Sequence, residues 1–132
     1  MQQYLIDTHA FLWFCEGSAE LSPAAKLLIE DKQNQIYLSI ASLWEISIKN
    51  ATGKLVIAKG YDTVIDDVVD NDIEILPINF AHTLAQNKMP FHHRDPFDRI
   101  IAAQAIVEGV PLISRDDVFD RYFSGSSILR YW

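Results

Sequence analysis

At 132 residues, with 49% hydrophobic content and a single cysteine, the chain is sized for one domain with a real core. This excludes a disordered segment and a disulfide-stapled scaffold. The net charge of −7 argues against binding nucleic acid by blanket attraction to phosphate, but leaves room for acids that hold cations at the point of contact. No apolar run approaches the ~20 residues of a membrane span.

Gln3-Tyr4-Leu5-Ile6 is a short β-forming run that predicts a buried strand ending at Asp7. The stretch Met1-Gln2-Gln3-Tyr4-Leu5-Ile6-Asp7 also lacks the basic start and long apolar segment of a signal peptide. Cys15 stands alone, so a cytoplasmic setting is expected. Residues 9–14 form a brief apolar helix, and Ser22-Pro23 opens a second with cap and proline in the right order. Ile36-Tyr37-Leu38-Ser39 is the second strand. Ser39 or Ser42 caps a helix through Asn50, with Gly53 as a stop signal. Leu55-Val56-Ile57 is too short to assign. Residues 61–70 alternate apolar and acidic side chains at helical spacing, which puts Val64, Ile65, Val68 and Val69 on an inner face.

Ile73-Glu74-Ile75-Leu76 is the third strand, and residues 80–87 a short helix. Met89-Pro90-Phe91-His92-His93 reads as a loop into a helix capped by Asp95, opened by Pro96 and ended at Gly109. Val110-Pro111-Leu112-Ile113-Ser114 is the fourth strand, and a short helical piece carries Phe119 and Phe123 before a last strand over residues 128–131. No repeat, low-complexity stretch or linker interrupts this order, so residues 1–132 are expected to form a single domain. Strands separated by helices imply an α/β fold with a parallel sheet covered on both faces. Ligands of such sheets sit beyond the carboxyl ends of the strands. Asp7 and Asp116 each follow a strand, so both fall on one rim.

Four acids stand out, each with an ordinary explanation. Asp7 follows three apolar residues, where a carboxylate needs a partner or a cation, yet it also suits a helix cap. Glu45 sits among Leu43, Trp44, Ile46 and Ile48. A helical pair with Lys49, worth a few tenths of a kcal/mol, does not explain an acid in that setting. Asp98 faces the positive end of its helix dipole, and Asp95, the more natural cap, leaves it free. Asp116 and Asp117 suit a turn. Carboxylates gathered on one rim repel unless cations are present or some stay protonated. Hard oxygen ligands select magnesium or manganese, and such an ion suits phosphodiester hydrolysis by activated water.

Four motifs carry a resemblance: Asp7-Thr8-His9-Ala10-Phe11-Leu12-Trp13, Ser39-Ile40-Ala41-Ser42-Leu43-Trp44-Glu45, the run from Asp95-Pro96-Phe97-Asp98-Arg99 to Gln104-Ala105, and Pro111-Leu112-Ile113-Ser114-Arg115-Asp116. Their order and spacing resemble the PIN-domain family over nearly the whole chain, especially the VapC-type toxins of toxin–antitoxin pairs. The resemblance implies a three-layer α/β/α PIN-like fold with a central, mostly parallel sheet. It also implies a magnesium- or manganese-dependent endoribonuclease whose catalytic and metal-holding quartet is Asp7, Glu45, Asp98 and Asp116. Thr8 and Ser114 match hydroxyl residues beside the metal, and a homodimer held in check by a cognate antitoxin is implied as well. Asp117 and Asp120 compete with Asp116 for the fourth position.

Trp13, Phe14, Trp44 and Ile48 are expected in the core, with an antitoxin-helix groove as the alternative. Among the basic side chains that could steer RNA phosphates (Lys49, Lys54, Lys59, Arg94, Arg99 and Arg115), Arg99 and Arg115 flank proposed ligands and are the better candidates. His92 and His93, adjacent in a loop, are expected to be exposed, and no spaced Cys or His supports a zinc site. Two other functions compete. A receiver-like phosphotransfer domain also gathers acids at a sheet rim, but it wants a lysine where this chain has Ser114-Arg115-Asp116. A catalytically silent dimeric binding module would use the same acids only as helix caps.

Overall fold

The computed structural model describes residues 2–132. Five short strands, β1 (Gln3–Ile6), β2 (Gln35–Ser39), β3 (Ile73–Leu76), β4 (Leu112–Ile113) and β5 (Arg130–Tyr131), form one sheet in the order β3-β2-β1-β4-β5. Every pairing is parallel. Central β1 sits between β2, where Leu5 pairs with Tyr37, and β4, where Leu5 pairs with Leu112.

The strands read as almost continuous apolar runs because both faces are covered. Tyr4, Ile6, Ile36, Leu38 and Ile113 point into one core with Phe11, Leu43 and Ile46. Leu5 and Leu112 point into the other, with Ile101, Ala102, Phe119 and Phe123. The first core receives helices α1 (Thr8–Glu16), α2 (Pro23–Glu30), α3 (Ile40–Ala51) and α4 (Val64–Asp70). The second receives α6 (Pro96–Glu108) and α7 (Phe119–Phe123), with α5 (Phe80–Lys88) laid against α6. The result is the three-layer α/β/α arrangement, its sheet parallel throughout.

Local chemistry sets the helix starts that matter for the site. Asp7 accepts a bond from the Ala10 N–H at 2.8 Å and caps α1. The Ser39 hydroxyl caps α3, and Asp95 caps α6 ahead of Pro96. Gly109 ends α6 at φ +67°, a left-handed turn that glycine adopts without a Cβ penalty. Differences from the expected pattern are confined to margins. β4 and β5 keep only two paired residues each, and Pro111, which has no N–H, precedes β4. In α4, Val64 and Val68 are buried but Ile65 and Val69 face solvent, since a helix of seven residues presents one narrow stripe to the sheet. Trp44 and Ile48 also lie outside the core, at 62% and 40% exposure. Trp13 and Phe14 are partly buried against the first core.

Candidate metal centre

The strand order reverses at β1, with β2 and β3 on one side and β4 and β5 on the other. Such a switch point opens a crevice beyond the strand ends, because the two connections leave in opposite directions. Asp7 lies at the end of β1, and Ser114, Arg115 and Asp116 lie just past β4. Glu45 comes from α3, the helix after β2, and Asp98 from the first turn of α6.

Asp7 is 6% exposed, with both carboxylate oxygens engaged. Its Oδ1 caps α1, and its Oδ2 accepts from the Ser114 hydroxyl at 2.5 Å. Ser114 Oγ in turn accepts from the Asp116 N–H at 3.0 Å, so one buried hydroxyl ties the ends of β1 and β4 together. Thr8 points the other way and donates to Ser42 Oγ at 2.9 Å, fastening the start of α1 to α3. Burial drives the Asp7 carboxyl above its usual range, against the bonds from Ser114 and Ala10.

Glu45 is 3% exposed. Lys49 donates to its Oε2 at 2.7 Å, so the helical pair foreseen from the spacing does form, and it holds the Lys49 ammonium above its usual range. The other oxygen, Oε1, is buried with no hydrogen-bond partner. A buried carboxylate oxygen without a donor is costly, and a cation is one group that removes the cost.

Asp98 carries a second raised carboxyl in the cleft. Burial first, then the charges of Asp95, Asp7, Glu45 and Asp116, push its carboxyl up to about 7. Four elements therefore deliver mutually repelling acids to one region. Oxygens of Asp98 and Asp116 and a ring nitrogen of His93 lie within 4.8 Å of one another, while Asp7 and Glu45 stand outside that tight group. Asp116 behaves oppositely. Its partial burial raises the carboxyl, but bonds from His93 and the Val118 N–H, with the charges of His93 and Arg130, outweigh this and leave it below the ordinary range. The donor set is rich in hard carboxylate oxygens with one imidazole, which fits magnesium or manganese better than a soft-metal site.

The two arginines part company. Arg115 is exposed, pairs with Glu20 and lies over the Trp13 ring at 4.4 Å. It lines a cleft of about 260 Å³ with Asp7, His9, Trp13 and Asp116, so it stands at the mouth of the site. Arg99 does not. It is 2% exposed, donates to the carbonyls of Pro90, Gln86 and Met89, and lies 4.0 Å over the Phe91 ring. Both terminal nitrogens of its fork are engaged by backbone oxygens, so the phosphate contact expected of it is corrected to a structural role.

His93 corrects a second expectation. It is not a freely exposed loop residue: its side chain is only 10% exposed, and Nε2 lies 2.9 Å from Asp116 Oδ2. The sequence offered little to find it, because its partner lies 23 residues further on. Of the competing acids, Asp117 is exposed and Asp120 forms a two-point pair with Arg130 at 3.0 and 3.1 Å.

A sequence profile of the PIN domain matches residues 4–123. The chain belongs to the PIN-domain family. Solved structures similar to this PIN domain include VapBC2 from Rickettsia felis bound to a DNA fragment from their promoter. That likeness has a TM-score of 0.70 at 18% identity, covering 99% of this chain and 100% of that one. DNA-bound VapBC from Salmonella typhimurium gives 0.68 at 14% identity, over 99% and 98% of the two chains. VapBC-5 from Mycobacterium tuberculosis, of the VapBC family of toxin–antitoxin systems, gives 0.64 at 17% identity, over 98% of each chain. At these identities the likeness is one of fold. No curated protein sequence matches the chain. No helix of this PIN domain among the described residues is long and apolar enough to cross a membrane.

Proposed function

We propose that this PIN domain is a magnesium- or manganese-dependent endoribonuclease and the VapC-type toxin of a toxin–antitoxin pair. One observation carries the reading: α6 places Asp98 beside Asp116 in one cleft, where burial and then the charges of Asp95, Asp7, Glu45 and Asp116 push its carboxyl up to about 7, an arrangement stable near neutrality only with protons or cations among them. Asp7, Glu45, Asp98 and Asp116 would hold the cation, and the unpartnered Glu45 Oε1 is consistent with that role. When bound, a divalent cation supplies Lewis-acid activation of water and neutralises charge on the phosphodiester.

The chain's own groups do the positioning. Ser114 fixes Asp7 by donating to Oδ2, and Thr8 anchors α1 to α3, so the two hydroxyls hold the frame on which Asp7 and Glu45 sit. Ser114 is fully buried, so it serves as a brace and not as a nucleophile, and no covalent intermediate is expected. Asp98 would hold the cation as the ionised carboxylate. Arg115, at the mouth of the cleft, is the side chain suited to an incoming phosphate.

The partner assignments rest on the company this fold keeps. The similar Mycobacterium tuberculosis structure belongs to a toxin–antitoxin family, and a Klebsiella pneumoniae match is a toxin–antitoxin complex. We assign a cognate antitoxin on that basis, and a homodimeric state and an RNA substrate from the resemblance of the four motifs to VapC-type toxins. A silent binding module fits less well, because helix capping uses Asp7 and Asp95 but neither Asp98 nor Glu45 Oε1, which is buried without a partner. The test is cleavage of single-stranded RNA with manganese, with chelator, and by Asp98→Asn. Groups one step behind a metal already contribute about 10–100-fold, so Asp98→Asn is expected to lose at least that much. Cleavage that persists in chelator, or survives Asp98→Asn, would refute the assignment.

A further inference from the structure

We infer that His93 is a positioning residue that aims the Asp116 carboxylate into the metal cleft and thereby selects Asp116, over Asp117 and Asp120, as the fourth acid. The inference rests on the metal-dependent nuclease reading and adds to it a residue outside the acidic quartet.

The geometry is specific. His93 Nε2 lies 2.9 Å from Asp116 Oδ2, while Asp116 Oδ1 accepts from the Val118 N–H at 3.0 Å. Both oxygens are thus pinned, which stops the carboxylate rotating. Each keeps a lone pair, because a carboxylate offers about four acceptor sites. The His93 Nδ1 is buried without a partner, so in the neutral ring the proton belongs on Nε2, where Asp116 accepts it.

The ring itself is held by two aromatic neighbours, and the backbone beside it by a hydroxyl. It stacks on Tyr122 at 5.3 Å and 10°, and tilts against Phe119 at 4.9 Å. Its backbone N–H donates to the Tyr122 hydroxyl at 2.6 Å. Phe119 and Tyr122 are both core residues of α7, the helix directly after Asp116. The loop before α6 and the helix after β4 therefore meet through this ring. It couples the acid at the start of α6 to the acid after β4, whose ligand atoms share the 4.8 Å group with Nε2. Neither rival acid has this support: Asp117 is exposed, and Asp120 turns away to Arg130.

Two substitutions separate donor from shape. His93→Phe keeps an aromatic ring between Tyr122 and Phe119 but removes the donor. His93→Gln removes the ring but can place an amide N–H near the Nε2 position. Manganese binding to the full chain is measured by calorimetry, with thermal unfolding to verify that each variant is folded. His93→Phe is expected to weaken manganese binding by about 10–100-fold, the usual loss when a group orienting a ligand is removed, while His93→Gln retains most of the affinity. Electron paramagnetic resonance of the manganese-loaded wild type is expected to show no directly bonded nitrogen. Wild-type affinity in His93→Phe, equal loss in both folded variants, or a nitrogen bonded to manganese would each overturn the inference. If the wild type binds no manganese at all, the parent reading falls, and this inference falls with it. If the wild type binds and His93→Phe binds equally, only the role of His93 is lost.

Discussion

Among single residues, Asp98 couples folding to pH through its raised carboxyl. Its carboxyl titrates near 7 in the folded chain, raised chiefly by burial and then by Asp95, Asp7, Glu45 and Asp116. An unfolded aspartate titrates near about 3.9. A folded value above the unfolded one means the folded state binds the extra proton. In the metal-free protein the contribution of Asp98 to stability is therefore fully present below about pH 4 and is lost progressively as pH rises to about 7. The ceiling on this loss is about 4 kcal/mol, because each tenfold gain in proton affinity is worth roughly 1.4 kcal/mol. Asp7 moves in the same direction, and Asp116 opposes it. Asp98→Asn is expected to flatten the decline and raise the melting temperature of the metal-free protein at pH 8, while abolishing stabilisation by added manganese. Thermal unfolding from pH 4 to 8, with and without the ion, reads both effects, and a wild-type profile flat over that window would contradict them. Asp98 was legible in the sequence because Asp95-Pro96 takes the cap and leaves the next acid unexplained. His93 was not, because its surroundings come from Phe119, Tyr122 and Asp116, which only tertiary folding brings near.

At the scale of elements, α6 and the loop before it decide how the acids are presented. Arg99, one turn into α6, reaches back to the carbonyls of Gln86, Met89 and Pro90 and stacks on Phe91, stitching the end of α5 and residues 89–91 to the helix. Charged hydrogen bonds contribute more than neutral ones, and removing the donor leaves several carbonyls unsatisfied. Arg99→Met is expected to destabilise the fold by about 2–4 kcal/mol, and Arg99→Lys to recover only part, because one ammonium cannot reproduce the planar fork. Urea unfolding measures this, and a change within about 0.5 kcal/mol would place Arg99 among ordinary surface residues. The helices and β1 to β3 were legible because caps and breakers such as Ser22-Pro23, Asp95-Pro96 and Gly109 are local signals. β4 and β5 were not legible at the same precision. Val110 and Ile128 look like strand residues, yet both point into the second core from outside the paired segments. In α4, Ile65 and Val69 match the helical period as well as Val64 and Val68, and only the width of the contact with the sheet decides which pair is buried.

For the whole molecule, the parallel topology and the charge make opposite contributions to substrate binding. The reversal of strand order at β1 gathers acids from all over the chain into one crevice, and the net charge of −7 surrounds it with a field that repels phosphate. Attraction must then come from cations in the cleft and from a few local side chains such as Arg115. A protein that binds by neutralising many phosphates loses about 10³–10⁵ in affinity between 50 and 200 mM salt, because each contact releases counterions. Few basic contacts and long-range repulsion leave little to lose, since added salt screens repulsion as well as attraction. RNA affinity is therefore expected to fall by about tenfold or less over that salt range at constant manganese, a shallow slope of roughly one or two phosphate contacts. Chelating the divalent ion is expected to remove binding almost entirely, because it restores unscreened carboxylates where the phosphate must sit. Fluorescence anisotropy with a short single-stranded RNA bearing a non-hydrolysable linkage measures both without interference from cleavage. A steep salt slope with tight binding in chelator would locate recognition on a basic surface away from Asp7, Glu45, Asp98 and Asp116, and the acids would lose their place as the point of contact.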